Sequence, residues 1–200
     1  MSRNWNDALS LLWMLVTDQR LGVLIGVLVL AGAIDLIHHR IPNSLVLAGL
    51  GYALVYNGFH SDYVHDGVGV LGAIEGVGVG FLLTLPIYLL RGMAAGDVKL
   101  MAMTGAYLGP WDGLHAVLWS FMAGGVLALA IVLVKGRLGR LWRNLSQAAL
   151  IGSLQLAAGS APTTQLARSE SAGMLPYAVA IAAGTTLFLI ARQLGLVSYV

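Results

Sequence analysis

The chain has 200 residues, of which 58% are hydrophobic and only 10% charged, against roughly 25% charged in an ordinary soluble domain. Its formal net charge is +2 and it contains no cysteine. The near-neutral balance gives no support for a nucleic-acid partner, and the missing thiols exclude disulfides, thiol catalysis and cysteine-based zinc sites. Apolar runs long enough to cross a hydrocarbon core of about 30 Å recur along the whole length. The chain therefore reads as an all-α polytopic membrane protein, one helical unit in the lipid bilayer with no second soluble domain.

Residues 1–20 form a candidate N-terminal interfacial segment. The run ALSLLWMLV after Arg3 has the look of a signal-peptide core, but it lacks a small-x-small cleavage site and TDQR follows it, so a retained segment is expected. Residues 21–200 are expected to form one six-helix membrane domain. Its spans fall at 21–38, 44–59, 68–90, 96–109, 114–134 and 174–194, and the fourth is short enough to need support from its neighbours. In the third span Gly72, Gly76 and Gly80 recur every four residues, the spacing that lets two helices approach closely in lipid. Glu75 lies near the outer end of that span and is expected to reach the headgroups. Between the fifth and sixth spans, about 136–173, Leu138, Leu141, Trp142, Leu145 and Ala149 follow helical spacing with Arg137, Arg140 and Arg143 interleaved. That pattern predicts an amphipathic helix on the anionic inner leaflet, followed by a small, polar loop. Trp111, Trp119, Trp142, Tyr107 and Tyr177 fall mostly near predicted interfaces and read as membrane anchors.

Sidedness follows from the cations. One alternating set of loops carries Arg40, Arg91, Lys99, Lys135, Arg137, Arg140, Arg143 and Arg168, and the other only Arg3, Arg20 and Arg192. The richer set is expected to be cytoplasmic. Asp35, at the end of the first span, and Asp97, at the start of the fourth, then share the cytoplasmic face.

A charge at membrane depth costs roughly 2.5 to 3.5 kcal/mol even on the forgiving insertion scale, so each aspartate needs a reason. Taken singly, each has an ordinary one. Asp35 can be solvated by headgroups and pair with Arg40. Asp97 can sit in the first turn of a helix, where the dipole favours an anion, with Gly96 breaking the turn before it. Taken together they suggest chemistry. Gly96 leaves room for a backbone to approach Asp97, and two carboxylates brought close share a proton, one serving as base toward water and the other as acid.

The residues around both aspartates resemble a known family. The run Asp35-Leu-Ile-His-His-Arg-Ile-Pro-Asn43 is similar to the D-x-x-x-x-R-I-P-N signature of type IV prepilin peptidases. Ala94-Ala-Gly-Asp-Val-Lys-Leu100 looks like their second signature, G-x-G-D-V-K-L, and the stretch from Met174 through Pro176-Tyr177 resembles the opening of their last span. The three islands occur in the family's order and cover about 21–190. The resemblance implies an intramembrane-type aspartic endopeptidase of a prokaryotic inner membrane. Its substrate would be a prepilin or pseudopilin, whose short basic leader it removes at the cytoplasmic face. The matching catalytic residues are Asp35 and Asp97, with Arg40, Pro42, Asn43, Gly96 and Lys99 as motif support or substrate contacts. Two departures stand out. Ala94 replaces the first glycine of the second signature, and the paired cysteines of the bifunctional members are missing. The chain thus looks like the short, peptidase-only branch associated with Flp pili, and N-methylation is not expected.

Helix ends suggest Asp97 as the base and Asp35 as the acid, because only Asp97 lies at a helix N-terminus. Pro42 fixes a turn and Asn43 or Ser44 can cap the next helix. Lys99 is expected to face headgroups or tune Asp97. His60, Asp62, His65 and Asp66 are metal-ligating by type, but their spacing fits no closed site and they lie across the membrane from the aspartates. Neither a metal nor any other cofactor is expected. A proton- or cation-coupled transporter and a non-catalytic pilus or secretion scaffold remain alternatives. A presenilin-like peptidase is a third, disfavoured because the R-I-P-N run has no counterpart there.

Overall fold

The structure is a computed structural model that describes residues 19–59, 68–90, 92–134 and 176–197. All of its regular structure is helical: α1 Gln19–His38, α2 Asn43–Phe59, α3 Gly69–Leu89, α4 Ala95–Val134 and α5 Tyr177–Gln193. Among these, α1, α3 and α4 are long and apolar enough to cross a membrane. The interfacial segment over 1–18, the His60–Asp66 cluster and the amphipathic helix over 136–173 lie outside the described residues.

The chain divides into two compact units, Met1–Gly124 with Pro176–Val200, and Gly125–Leu175. Of the second unit only the end of α4 is described, where Val126, Leu129, Leu133 and Val134 are exposed as lipid-facing side chains are. Everything below concerns the first unit.

The fourth and fifth predicted spans are one element in two arms. Gly109 interrupts α4 with φ 82° and ψ −178°, a left-handed backbone that only glycine adopts without strain. Pro110 follows and has no amide hydrogen to donate. The carbonyl it would have served, that of Ala106, instead accepts a 2.9 Å bond from Nδ2 of the fully buried Asn57 on α2. A membrane interior demands such repair, since no water reaches the orphaned group.

The first arm, residues 95–108, is the centre of the unit. Val98 and every residue from Leu100 to Leu108 are buried, and only Lys99 in that stretch is exposed. A helix apolar on all sides is one wrapped by other helices. This explains why the arm is short: it need not span lipid alone.

Glycines set the spacing around it. A β-carbon on Gly76 would overlap the Gly105 carbonyl, and one on Gly80 would overlap that of Met101. The α3 glycine face therefore packs on α4 through Gly76 and Gly80. Gly72 of the predicted trio meets only Val68, at 3.1 Å, and takes no part in the contact. Gly184 of α5 lies equally close to α4, its β-carbon position 2.6 Å from Ser120 N.

Two of the predicted anchoring aromatics are placed differently. Tyr107 is fully buried and stacks on Tyr52 at 6.2 Å between ring centres, so it is a packing residue. Tyr177 is half-buried at the start of α5, with its ring against Gly124. Trp111 is 73% exposed. Asp112 and Arg192, which the loop alternation assigns to one face, form an ion pair. Glu75 is exposed.

Candidate active site

Asp35 lies in the last turn of α1, and α1 ends immediately after it by local chemistry. His39 takes a left-handed backbone, φ 51°, and its amide bonds to the Asp35 carbonyl at 2.9 Å, the αL type of helix stop. Three residues on, Pro42 prevents any continuation. Its carbonyl then accepts from Val46 at 3.4 Å as α2 begins.

The Asp35 carboxyl is buried, at 8% exposure. Its partner is remote in sequence: the amide of Ala178 donates to Oδ2 at 3.3 Å. Ala178 is the second residue of α5, and Pro176 at the N-cap makes no side-chain cap bond. Asp35 thus supplies from α1 the cap that α5 lacks. Gly32, one turn earlier on α1, faces α5 in van der Waals contact, its β-carbon position 3.6 Å from Val179 Cα. Arg40, which the ordinary reading pairs with Asp35, is exposed in the turn.

Asp97 is the third residue of α4 and is buried to 4% exposure. Its Oδ2 accepts the amide of Ala94 at 3.1 Å. This is the reciprocal half of a capping box, an acid in the first turn reaching back to the N-cap amide. Helix α4 already begins at Ala95, so Gly96 sits within its first turn instead of breaking the chain before it. What Gly96 provides is closeness to the R-I-P-N turn, its β-carbon position lying 3.3 Å from Ile41 Cβ. Ala94 needs no glycine. Among the described residues His39 is the only non-glycine with positive φ, so the methyl group at 94 brings no backbone strain.

The two signature stretches are also tied directly, Lys99 Nζ donating to Asn43 Oδ1 at 3.1 Å. Asn43 therefore uses its side-chain oxygen on α4, where the spacing suggested a cap on α2. Pro42 is half-buried at the foot of the same turn. All seven candidate residues belong to two adjoining stretches: Asp35, Arg40, Pro42 and Asn43 on the α1–α2 corner, and Gly96, Asp97 and Lys99 on the first turn of α4.

The stretches that carry Asp35 and Asp97 meet at the Lys99–Asn43 bond and at Gly96 against Ile41. Each carboxylate has one oxygen engaged by a main-chain amide. Ala94 is the N-cap position of α4 and Ala178 the second residue of α5. Sequence reasoning missed the α5 contribution. A main-chain amide leaves no mark in sequence; the visible signals were Gly32, one turn before Asp35, and the Pro-Tyr at the start of the last span. Among the described residues no group of three or more potential metal ligands gathers.

The chain is 36% identical over 113 residues to a prepilin leader peptidase/N-methyltransferase of Aeromonas salmonicida (strain A449), a match covering 54% of this chain and 38% of that protein. Proteins of the same description from Stutzerimonas stutzeri (34% over 111 residues, 50% and 35% covered) and Myxococcus xanthus (strain DK1622; 33% over 127 residues, 58% and 36% covered) are similar to it as well. In each case the match spans little more than a third of the relative's length. No solved structure matches. The profile of the type IV leader peptidase family matches residues 22–129, a stretch that takes in both aspartates and their signature runs. The chain belongs to the type IV leader peptidase family.

Proposed function

We propose that this protein is a membrane aspartic endopeptidase that removes the short basic leader from type IV prepilins or pseudopilins, with Asp35 and Asp97 as its catalytic pair. The observation that carries this reading is two buried carboxylates on separate helices, each accepting one main-chain amide, in stretches joined by the Lys99–Asn43 bond and the approach of Gly96 to Ile41. In a site of this kind the carboxyls share one proton. The ionised partner takes a proton from water as its oxygen adds to the scissile carbonyl. The protonated partner donates to the departing amine as the C–N bond breaks. The roles of base and acid belong to the coupled pair and not to one residue.

The cation count supports a cytoplasmic site in a prokaryotic inner membrane crossed by six spans. A substrate with a basic leader and a hydrophobic helix would then meet the site where its leader emerges from lipid. The absence of cysteine supports peptidase activity without N-methylation.

The test is co-expression with a Flp-type prepilin, reading the product's mass and N-terminus. Wild type should yield a shortened product, and Asp35→Asn and Asp97→Asn should each yield none while remaining in the membrane. Cleavage surviving in either variant would sink the two-aspartate mechanism.

A further inference from the structure

The second arm of α4 and helix α5 pack antiparallel in one register. Arg192 pairs with Asp112, Phe188 stacks on His115 at 5.8 Å between ring centres, Gly184 lies against Ser120, and Ala180 reaches Gly124. At the Gly184–Ser120 crossing the β-carbon position of Gly184 is only 2.4 Å from Ser120 Cα. Consecutive α-carbons are about 3.8 Å apart, so those of Thr185 and Ser120 lie within about 8 Å of each other. Hydroxyls in helix interiors commonly bond back to a carbonyl of their own helix. Thr84, Thr104 and Thr186 do so, to Gly80, Leu100 and Ala182 at 2.7, 2.9 and 2.7 Å. Ser120 and Thr185 do not. They are 2% and 0% exposed, and among the described residues neither hydroxyl has a hydrogen-bond partner, the other hydroxyl included. A buried orphan hydroxyl is costly, and bulk water does not reach the interior of a membrane bundle. The two orphans fall at one crossing, midway along α5, where the backbones already touch. The helices therefore cannot close further to join the hydroxyls directly.

We propose that Ser120 and Thr185 form a binding site for one water molecule, enclosed between α4 and α5. The water accepts from one hydroxyl and donates to the other, so each gains the bond that its own helix does not supply. The Trp119 carbonyl oxygen, 2.6 Å from the same β-carbon position of Gly184, adds a third polar atom at the crossing. A buried water needs two to four such partners, whereas an apolar gap stays dry.

The experiment has two readouts on the full chain. Denaturant unfolding in detergent compares wild type, Ser120→Ala, Thr185→Val and the double variant; valine keeps the shape of threonine and removes only the hydroxyl. Each single substitution should raise the unfolding constant about three- to tenfold. The double should raise it no more than either single, because the first substitution already releases the water and the second removes the remaining orphan. Strictly additive losses, or wild-type stability in both singles, overturn the proposal. The second readout is a density map of wild type in nanodiscs, fine enough to resolve ordered water. It should show a peak about 2.5–3.0 Å from both hydroxyl oxygens, and the map of Thr185→Val should lack it. No peak in wild type overturns the proposal whatever the unfolding data give, and hydroxyls bonded directly to each other would then explain any coupling. A peak that persists in Thr185→Val overturns it as well, since Thr185 would not be a ligand.

Discussion

Replacing Gly32 by leucine tests whether the α1–α5 approach positions Asp35. The β-carbon position at Gly32 lies 3.6 Å from both Cα and Cγ2 of Val179 and 3.8 Å from the Ala178 carbonyl. That is ordinary van der Waals contact, so Gly32→Ala should fold and cleave like wild type. Leucine adds three more carbons where α5 backbone already stands. Overpacking of this kind costs about 1–3 kcal/mol, and the cheapest relief is retreat of the first turn of α5. The Ala178–Asp35 bond is 3.3 Å long, already past the usual N–H···O range of about 2.7–3.2 Å, so a retreat of about 1 Å removes it. Losing a hydrogen bond to a charged group costs about 1.5–3 kcal/mol. Expressed in the transition state, that is a fall of roughly ten- to a hundredfold in kcat. Gly26 supplies the control: it lies on the same helix and its β-carbon position meets nothing within 4 Å. Leader cleavage and thermal unfolding would be measured for Gly32→Ala, Gly32→Leu and Gly26→Leu. Wild-type cleavage by Gly32→Leu, or an equal loss in Gly26→Leu, would refute the reasoning.

A second glycine pair makes a sharper structural contrast. Gly76→Ala should lose folded protein, because its methyl overlaps the Gly105 carbonyl, whereas Gly78→Ala meets nothing within 4 Å and should unfold at the wild-type temperature. Asn57→Leu should destabilise by about 1–3 kcal/mol, the cost of a buried unpaired carbonyl, since Ala106 then loses its 2.9 Å donor; denaturant titration in detergent checks this. The Lys99–Asn43 bond is exposed, so a double-mutant cycle on Lys99→Met and Asn43→Ala should give a stability coupling of about 1 kcal/mol or less. A larger coupling would mean that the bond is a main determinant of how the two signature stretches dock.

Much of this protein is legible in its sequence, for reasons that are local. A charge-poor chain with long apolar runs has to be helical in lipid, because only a helix satisfies its own backbone there. The end of α1 was legible because the stop is chemical: Pro42 fixes a turn and cannot donate. The two aspartates were legible because a buried charge is too costly to be accidental. Tertiary structure decided what depends on partners distant along the chain. It engaged Asn57 with the carbonyl that Pro110 orphans, and chose Gly76 and Gly80 over Gly72 as the packing face. It took Tyr107 from the membrane surface into the core. At the site it made Asp35 the cap of α5, through an amide 143 positions away. That partner was invisible along the chain, because a main-chain N–H carries no residue identity and its direction is settled only when helices pack.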